Sequence, residues 1–89
     1  MTDRFEQIKK KYVATFLQKH SDLNAAWEKK DFSQLHELLH KLAGSSGSYG
    51  FSDISQLCQQ SMKLVGTETI TDEQLLEQYL KELFSLLQQ

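Results

Sequence analysis

The residues best suited to chemistry near neutral pH are the chain's three histidines, His20, His36 and His40. An unperturbed imidazole titrates at about 6.5, so much of it is neutral, nucleophilic and able to ligate metal near pH 7. His36 and His40 fall in one amphipathic stretch whose apolar side is marked by Phe32, Leu35, Leu38, Leu39 and Leu42. At about 100° per residue, His40 lies opposite the Leu35–Leu39 centre and is expected to face water. Ala43, Gly44 and Gly47 follow it by three, four and seven residues, so they share its face, and all are small. Glycine inside a helix costs about 1 kcal/mol relative to alanine. At Gly44 this predicts a bare strip that lets another molecule approach closely. At Gly47, nearer the helix end, helix packing or unwinding explains the glycine equally well.

Other chemistries have weaker support. His36-Glu37-Leu38-Leu39-His40 is a literal H-E-x-x-H, which could offer two ligands to zinc. No downstream motif supplies a third ligand, and 89 residues leave little room for a substrate cleft. A zinc-binding His36/His40 site therefore stands only as an alternative, and no metal is expected. There is no G-x-x-x-x-G-K-[ST] phosphate loop. Cys58 is the only cysteine, so neither an intrachain disulfide nor a thiolate cluster can form, and its position reads as core. Ser45 and Ser46 read as helix-packing residues before phosphate contacts, and His20 as an exposed residue at a helix break.

The elements that must position His40 are helical throughout. Proline is absent, good helix formers dominate, and nothing alternates with period two. Phe5, Ile8, Tyr12 and Phe16, widened by Val13 and Leu17, predict an apolar stripe on a first helix from about Thr2–Asp3. A kink is expected near His20–Asp22 with Ser21 as a cap, and Leu23, Ala26 and Trp27 continue the buried face to about Lys30. Asp31 with Gln34 resembles a capping box opening a second long helix that runs to about Ser48. Gly47 and Gly50 bracket a turn. Ser52 is the expected cap of the next helix, Asp53 lies in its first turn, and Ile54, Leu57, Cys58, Ser61, Leu64 and Val65 face inward. Gly66 reads as its stop. Thr71 with Gln74, and Ile70 with Leu75, predict a capping box and staple for the last helix, whose stripe is Leu75, Leu76, Tyr79, Leu80, Leu83, Phe84 and Leu87. The fold class is all-α, and the simplest arrangement is an antiparallel up-down four-helix bundle with a short or kinked N-terminal helical segment.

The bulk numbers exclude whole classes. One domain spanning 1–89 is expected. Ten Lys+Arg against twelve Asp+Glu give a net charge of −2, which is not the footprint of a nucleic-acid binder. The run Lys9-Lys10-Lys11 reads as a solvated face. No stretch has the length of a membrane span, and no signal peptide is recognisable, so a cytoplasmic location is expected. The ordinary start and compact length lean towards a free-standing protein, and a monomer is expected.

The run His40-Lys41-Leu42-Ala43-Gly44-Ser45-Ser46-Gly47-Ser48-Tyr49-Gly50 resembles the histidine phosphotransfer (HPt) signature at His40, Leu42, Gly44, Ser45, Ser46, Tyr49 and Gly50. The resemblance extends from about Phe16 to Val65. It implies that His40 accepts a phosphoryl group from a receiver-domain aspartate and relays it to another receiver in a two-component phosphorelay. Gly44 would leave room for the receiver. The implied partners are receiver domains of response regulators or hybrid histidine kinases, which bring their own Mg2+. The domain itself would need no cofactor, and would be a phosphocarrier rather than a self-sufficient enzyme. Ala43 stands where the family usually has a phosphate-holding lysine, for which Lys41 is the nearest substitute. Met62 stands where the family often has glutamine, for which Gln59, one turn earlier, is the substitute. A plain helical interaction module using the same small-residue strip is the remaining rival. It would tolerate His40→Gln, whereas a carrier would not.

Overall fold

The computed structural model describes residues 3–65 and 72–88. It contains five helical segments in the order α1 (Asp3–Val13), α2 (Phe16–Glu28), α3 (Phe32–Ser48), α4 (Ser52–Leu64) and α5 (Glu73–Leu87). The last four form an up-down antiparallel bundle in which α2 and α4 each pack against both α3 and α5. The bundle closes on leucines. Leu23 of α2, Leu35 and Leu39 of α3, and Leu76, Leu80, Leu83 and Leu87 of α5 are buried, together with Ile54 and Cys58 of α4. Their three- and four-residue spacing is the signature of one apolar stripe per helix. Phe32, Leu38, Leu57 and Leu64 line the edge of this core, as does Trp27, and are only partly buried.

The N-terminal helix is bent, but not where the sequence suggested. Ser21 and Asp22 lie inside α2, and His20 is half-buried with its ring 4.5 Å from that of Phe84. The break falls at Ala14–Thr15. There the Thr15 amide donates to the Tyr12 carbonyl at 2.9 Å, three residues back, and the Thr15 hydroxyl donates to the same carbonyl at 2.6 Å. This tighter turn, together with a hydroxyl inserted into the ladder, redirects the chain. The expected stripe is thereby split. Tyr12 and Phe16 are buried, whereas Phe5, Ile8 and Leu17 are 53%, 43% and 74% exposed, so α1 overhangs the bundle.

Two helix ends share one geometry. At the end of α2, Lys30 has φ 56°, its amide donates to the Trp27 carbonyl, and the Asp31 amide donates to that of Ala26. At the end of α3, Gly50 has φ 85°, its amide donates to the Gly47 carbonyl, and the Phe51 amide donates to that of Ser46. Both are Schellman motifs, which need a left-handed residue and favour glycine there. Lys30 takes up that conformation without being glycine, and its ammonium lies 3.7 Å from the Trp27 ring centroid.

Asp31 caps α3 as expected, accepting from the Gln34 amide at 3.2 Å. For α4 the N-cap is Phe51 and has no side-chain bond, so Ser52 is the first helical residue rather than the cap. Asp53 in the first turn accepts from the Ile54 amide at 2.9 Å. The last helix is capped by Asp72, which accepts from the Leu75 amide at 3.1 Å. Asp72 thus takes the place foreseen for Thr71. Gly66, Ile70 and Thr71 lie outside the described residues, and α4 ends at Leu64. No described helix is long and apolar enough to cross a membrane.

Candidate functional site

The candidate site lies on the middle of α3. Its inner face is pinned by Leu35, Leu39 and Leu42, so rotation about the helix axis is fixed by burial. Ser46 is fully buried and donates to the Leu42 carbonyl at 2.6 Å, one turn back. Ser45 faces α1, where its hydroxyl lies 2.6 Å from that of Tyr12. Both serines are therefore occupied in packing. Tyr12 stacks on Tyr49 with centroids 4.2 Å apart and meets Phe16 edge-on at 5.4 Å, so an aromatic cluster clamps the C-terminal end of α3. Burial pushes the Tyr12 phenol above its ordinary value, although its bond to Ser45 works the other way.

With that face fixed, His40 is exposed on the opposite side, and Lys41, Gly44 and Gly47 are exposed with it. A β-carbon added at Gly44 would meet nothing within 4 Å, so the surface is open there. Gly47 differs, because an added β-carbon would lie 3.5 Å from Ser55 Oγ of α4. It sits at the α3–α4 seam, which supports the packing explanation for that glycine.

Ala43 is not on the open strip. It is 8% exposed, and its carbonyl accepts from Ser55 Oγ at 2.9 Å. A position three residues after His40 turns 60° towards the seam, enough to be covered by α4. The small-residue strip is therefore narrower than the spacing suggested.

Ser55 beside Gly47 also fixes the antiparallel register, so successive turns of α4 run back past Ala43 and then His40. Gln59 falls at the Ala43 level and Met62 at the His40 level. Gln59 is exposed, but its amide is turned back on Ser55 Oγ at 3.3 Å. Lys41 lies on the other flank, towards α2. Its ammonium is 3.5 Å from the Glu37 carboxylate, one turn back. With Leu38, Leu42, Leu23 and Lys19, Lys41 borders a groove of about 250 Å³ between α2 and α3.

His36 is half-buried one turn before His40. Among the described residues no three His, Cys, Asp or Glu side chains converge on a point that could hold a metal ion. Cys58 is buried, and burial pushes its thiol up to about 12. The Glu37–Lys41 pair beside His40 is the feature that sequence reasoning missed, although the i,i+4 spacing of opposite charges was there to be read.

No curated protein and no solved structure matches the chain. The model of one family, the Hpt domain, matches residues 7–89. That span takes in all four helices of the bundle and the whole open strip around His40, and the chain belongs to the Hpt domain family.

Proposed function

We propose that the chain, as a single domain over residues 1–89, carries a phosphoryl group on His40 between receiver domains of a two-component phosphorelay. Hpt domains as a family serve such relays as phosphocarriers rather than as enzymes in the ordinary sense. One observation carries the assignment to His40: of the three histidines it alone is exposed, and it stands beside an open helix surface at Gly44.

The chemistry follows from the side chain. A neutral imidazole nitrogen directs its lone pair at the phosphorus of a receiver's aspartyl phosphate. The N–P bond forms as the acyl O–P bond breaks, and the aspartate leaves as a carboxylate with the bonding pair. The ring then holds the phosphoryl group on one nitrogen and its original proton on the other. That phosphoramidate is reactive enough to return the group to a second receiver's carboxylate by the reverse displacement. Such transfer demands in-line positioning and charge neutralisation. The carboxylates and divalent metal belong to the receiver. This chain supplies the nucleophile, the open surface at Gly44 with Gly47 at its seam edge, and the cation of Lys41. Ala43 and Gln59 border the seam, where Gln59 can turn its amide towards a bound phosphoryl group. The protein would act in the cytoplasm as a monomer.

The test is transfer from a panel of radiolabelled phospho-receivers to wild type and to His40→Gln. Acid-labile, base-stable label on wild type alone is the expected result. Label retained on the His40→Gln variant would refute the assignment. Absence of label from every receiver, with folding verified, would favour the plain interaction module.

A further inference from the structure

Within α3, Glu37 and Lys41 are the only Asp, Glu, Lys or Arg residues, and they pair with each other at 3.5 Å while both stay largely exposed. Glu37 precedes His40 by three residues and Lys41 follows it by one, so both lie round the helix on the α2 side of the histidine. The α3 cation next to His40 in sequence is thus already engaged by a carboxylate. On the opposite flank Ala43 is buried and Met62 is apolar, so that side brings no charge from either position.

We infer that Glu37 is a positioning residue that competes with the phosphoryl group for Lys41. This rests on the carrier reading of His40. In the unphosphorylated protein Lys41 is held by Glu37. Once His40 is phosphorylated, Lys41 exchanges the carboxylate for the more highly charged phosphoryl oxygens, and Glu37 is left as an unpaired negative charge nearby. An exposed pair is weak, so the exchange is easy. Its cost nevertheless falls only on the phosphorylated state. Glu37 therefore shortens the life of the phosphohistidine and biases the group towards onward transfer.

The experiment phosphorylates the whole chain directly with phosphoramidate, which releases ammonia as the N–P bond to histidine forms, and follows decay by 31P NMR. Glu37→Gln is expected to lengthen the half-life by about two- to five-fold, the range an exposed pair supports. Glu37→Asp should stay close to wild type, and Lys41→Gln should shorten the half-life. In the Lys41→Gln background the gain from Glu37→Gln should largely vanish, and added salt should shrink every difference. An equal gain from Glu37→Gln with and without Lys41 would overturn the competition, leaving simple repulsion. A shortened half-life in Lys63→Gln but not in Lys41→Gln would overturn the choice of cation. Absence of a phosphohistidine signal from wild type, or its survival in His40→Gln, would remove the carrier reading itself. That result is distinct from a wild-type signal that Glu37→Gln leaves unchanged, which would sink only the role of Glu37.

Discussion

Gly44→Ala should make the protein more stable and a poorer phosphoryl acceptor. Gly44 is helical, exposed and without a neighbour within 4 Å of a new β-carbon, so a methyl group there meets no strain. The hydrogen bond that its carbonyl accepts from the Ser48 hydroxyl at 3.2 Å is untouched. Alanine should then recover most of the helix-propensity deficit, about 0.5–1 kcal/mol. In a domain of this size that is a rise of about 2–8 °C in Tm, read by circular dichroism. The same methyl group occupies the strip beside His40. If a receiver must lie against that backbone, one carbon of overpacking weakens the docked state by about 1–3 kcal/mol, or roughly 5- to 160-fold in transfer. Gly44→Arg should still fold and should lose transfer altogether. A Gly44→Ala protein that melts higher and transfers at the wild-type rate would refute the close-approach argument. One that melts lower would refute the reading of the surface as open.

Cys58 gives a pH prediction. Burial holds its thiol up to about 12 in the fold, well above the ordinary 9.0. The native state keeps a proton that the unfolded chain releases, so stability present below pH 9 declines as pH rises towards 12, by up to about 1.4 kcal/mol per unit. Urea melts between pH 8 and 11 should show a steeper loss of stability in wild type than in Cys58→Ala, whose remaining slope above pH 10 includes the raised Tyr12 phenol. Asp31→Ala and Asp72→Ala each remove a cap bond and should each cost about 1 kcal/mol in chemical denaturation, with additive effects because the caps serve different helices. Ala43→Lys should lower Tm, because the site is 8% exposed and closed by α4. A longer phosphohistidine half-life in that variant would show that the ammonium reaches out past the seam.

Where one helix settles its own affairs, the sequence is legible. The leucine stripes of α3 and α5, the Asp31 cap, the outward position of His40 and the inward position of Cys58 all follow from periodicity within a segment. What was misjudged depends on other segments. Ala43 is small and near His40 on the wheel, but whether α4 covers it depends on the seam made by Ser55. Phe5 and Ile8 carry the period of a buried stripe, yet the bundle ends before they reach it. The bend moved from Ser21 to Thr15 because Tyr12 packs on Tyr49 and Phe51, residues far along the chain. At the start of the last helix the cap is Asp72, whose side chain accepts from the Leu75 amide, and Thr71 lies outside the described residues. The Glu37–Lys41 pair was available from spacing alone. An exposed ion pair carries little meaning by itself, and this one gains it only from its place next to His40.

His40 and Gly44 lie on one ridge of one helix, and in the proposed relay role they would offer a single seat to every partner. A donor must leave before an acceptor can arrive, and steady-state kinetics should be of the double-displacement kind, with parallel lines in double-reciprocal plots. Either receiver in excess then inhibits the traffic by occupying the unloaded carrier or trapping the loaded one. Throughput would be highest at a balanced ratio of the two partners, which turns the geometry of one helix face into a constraint on their expression levels.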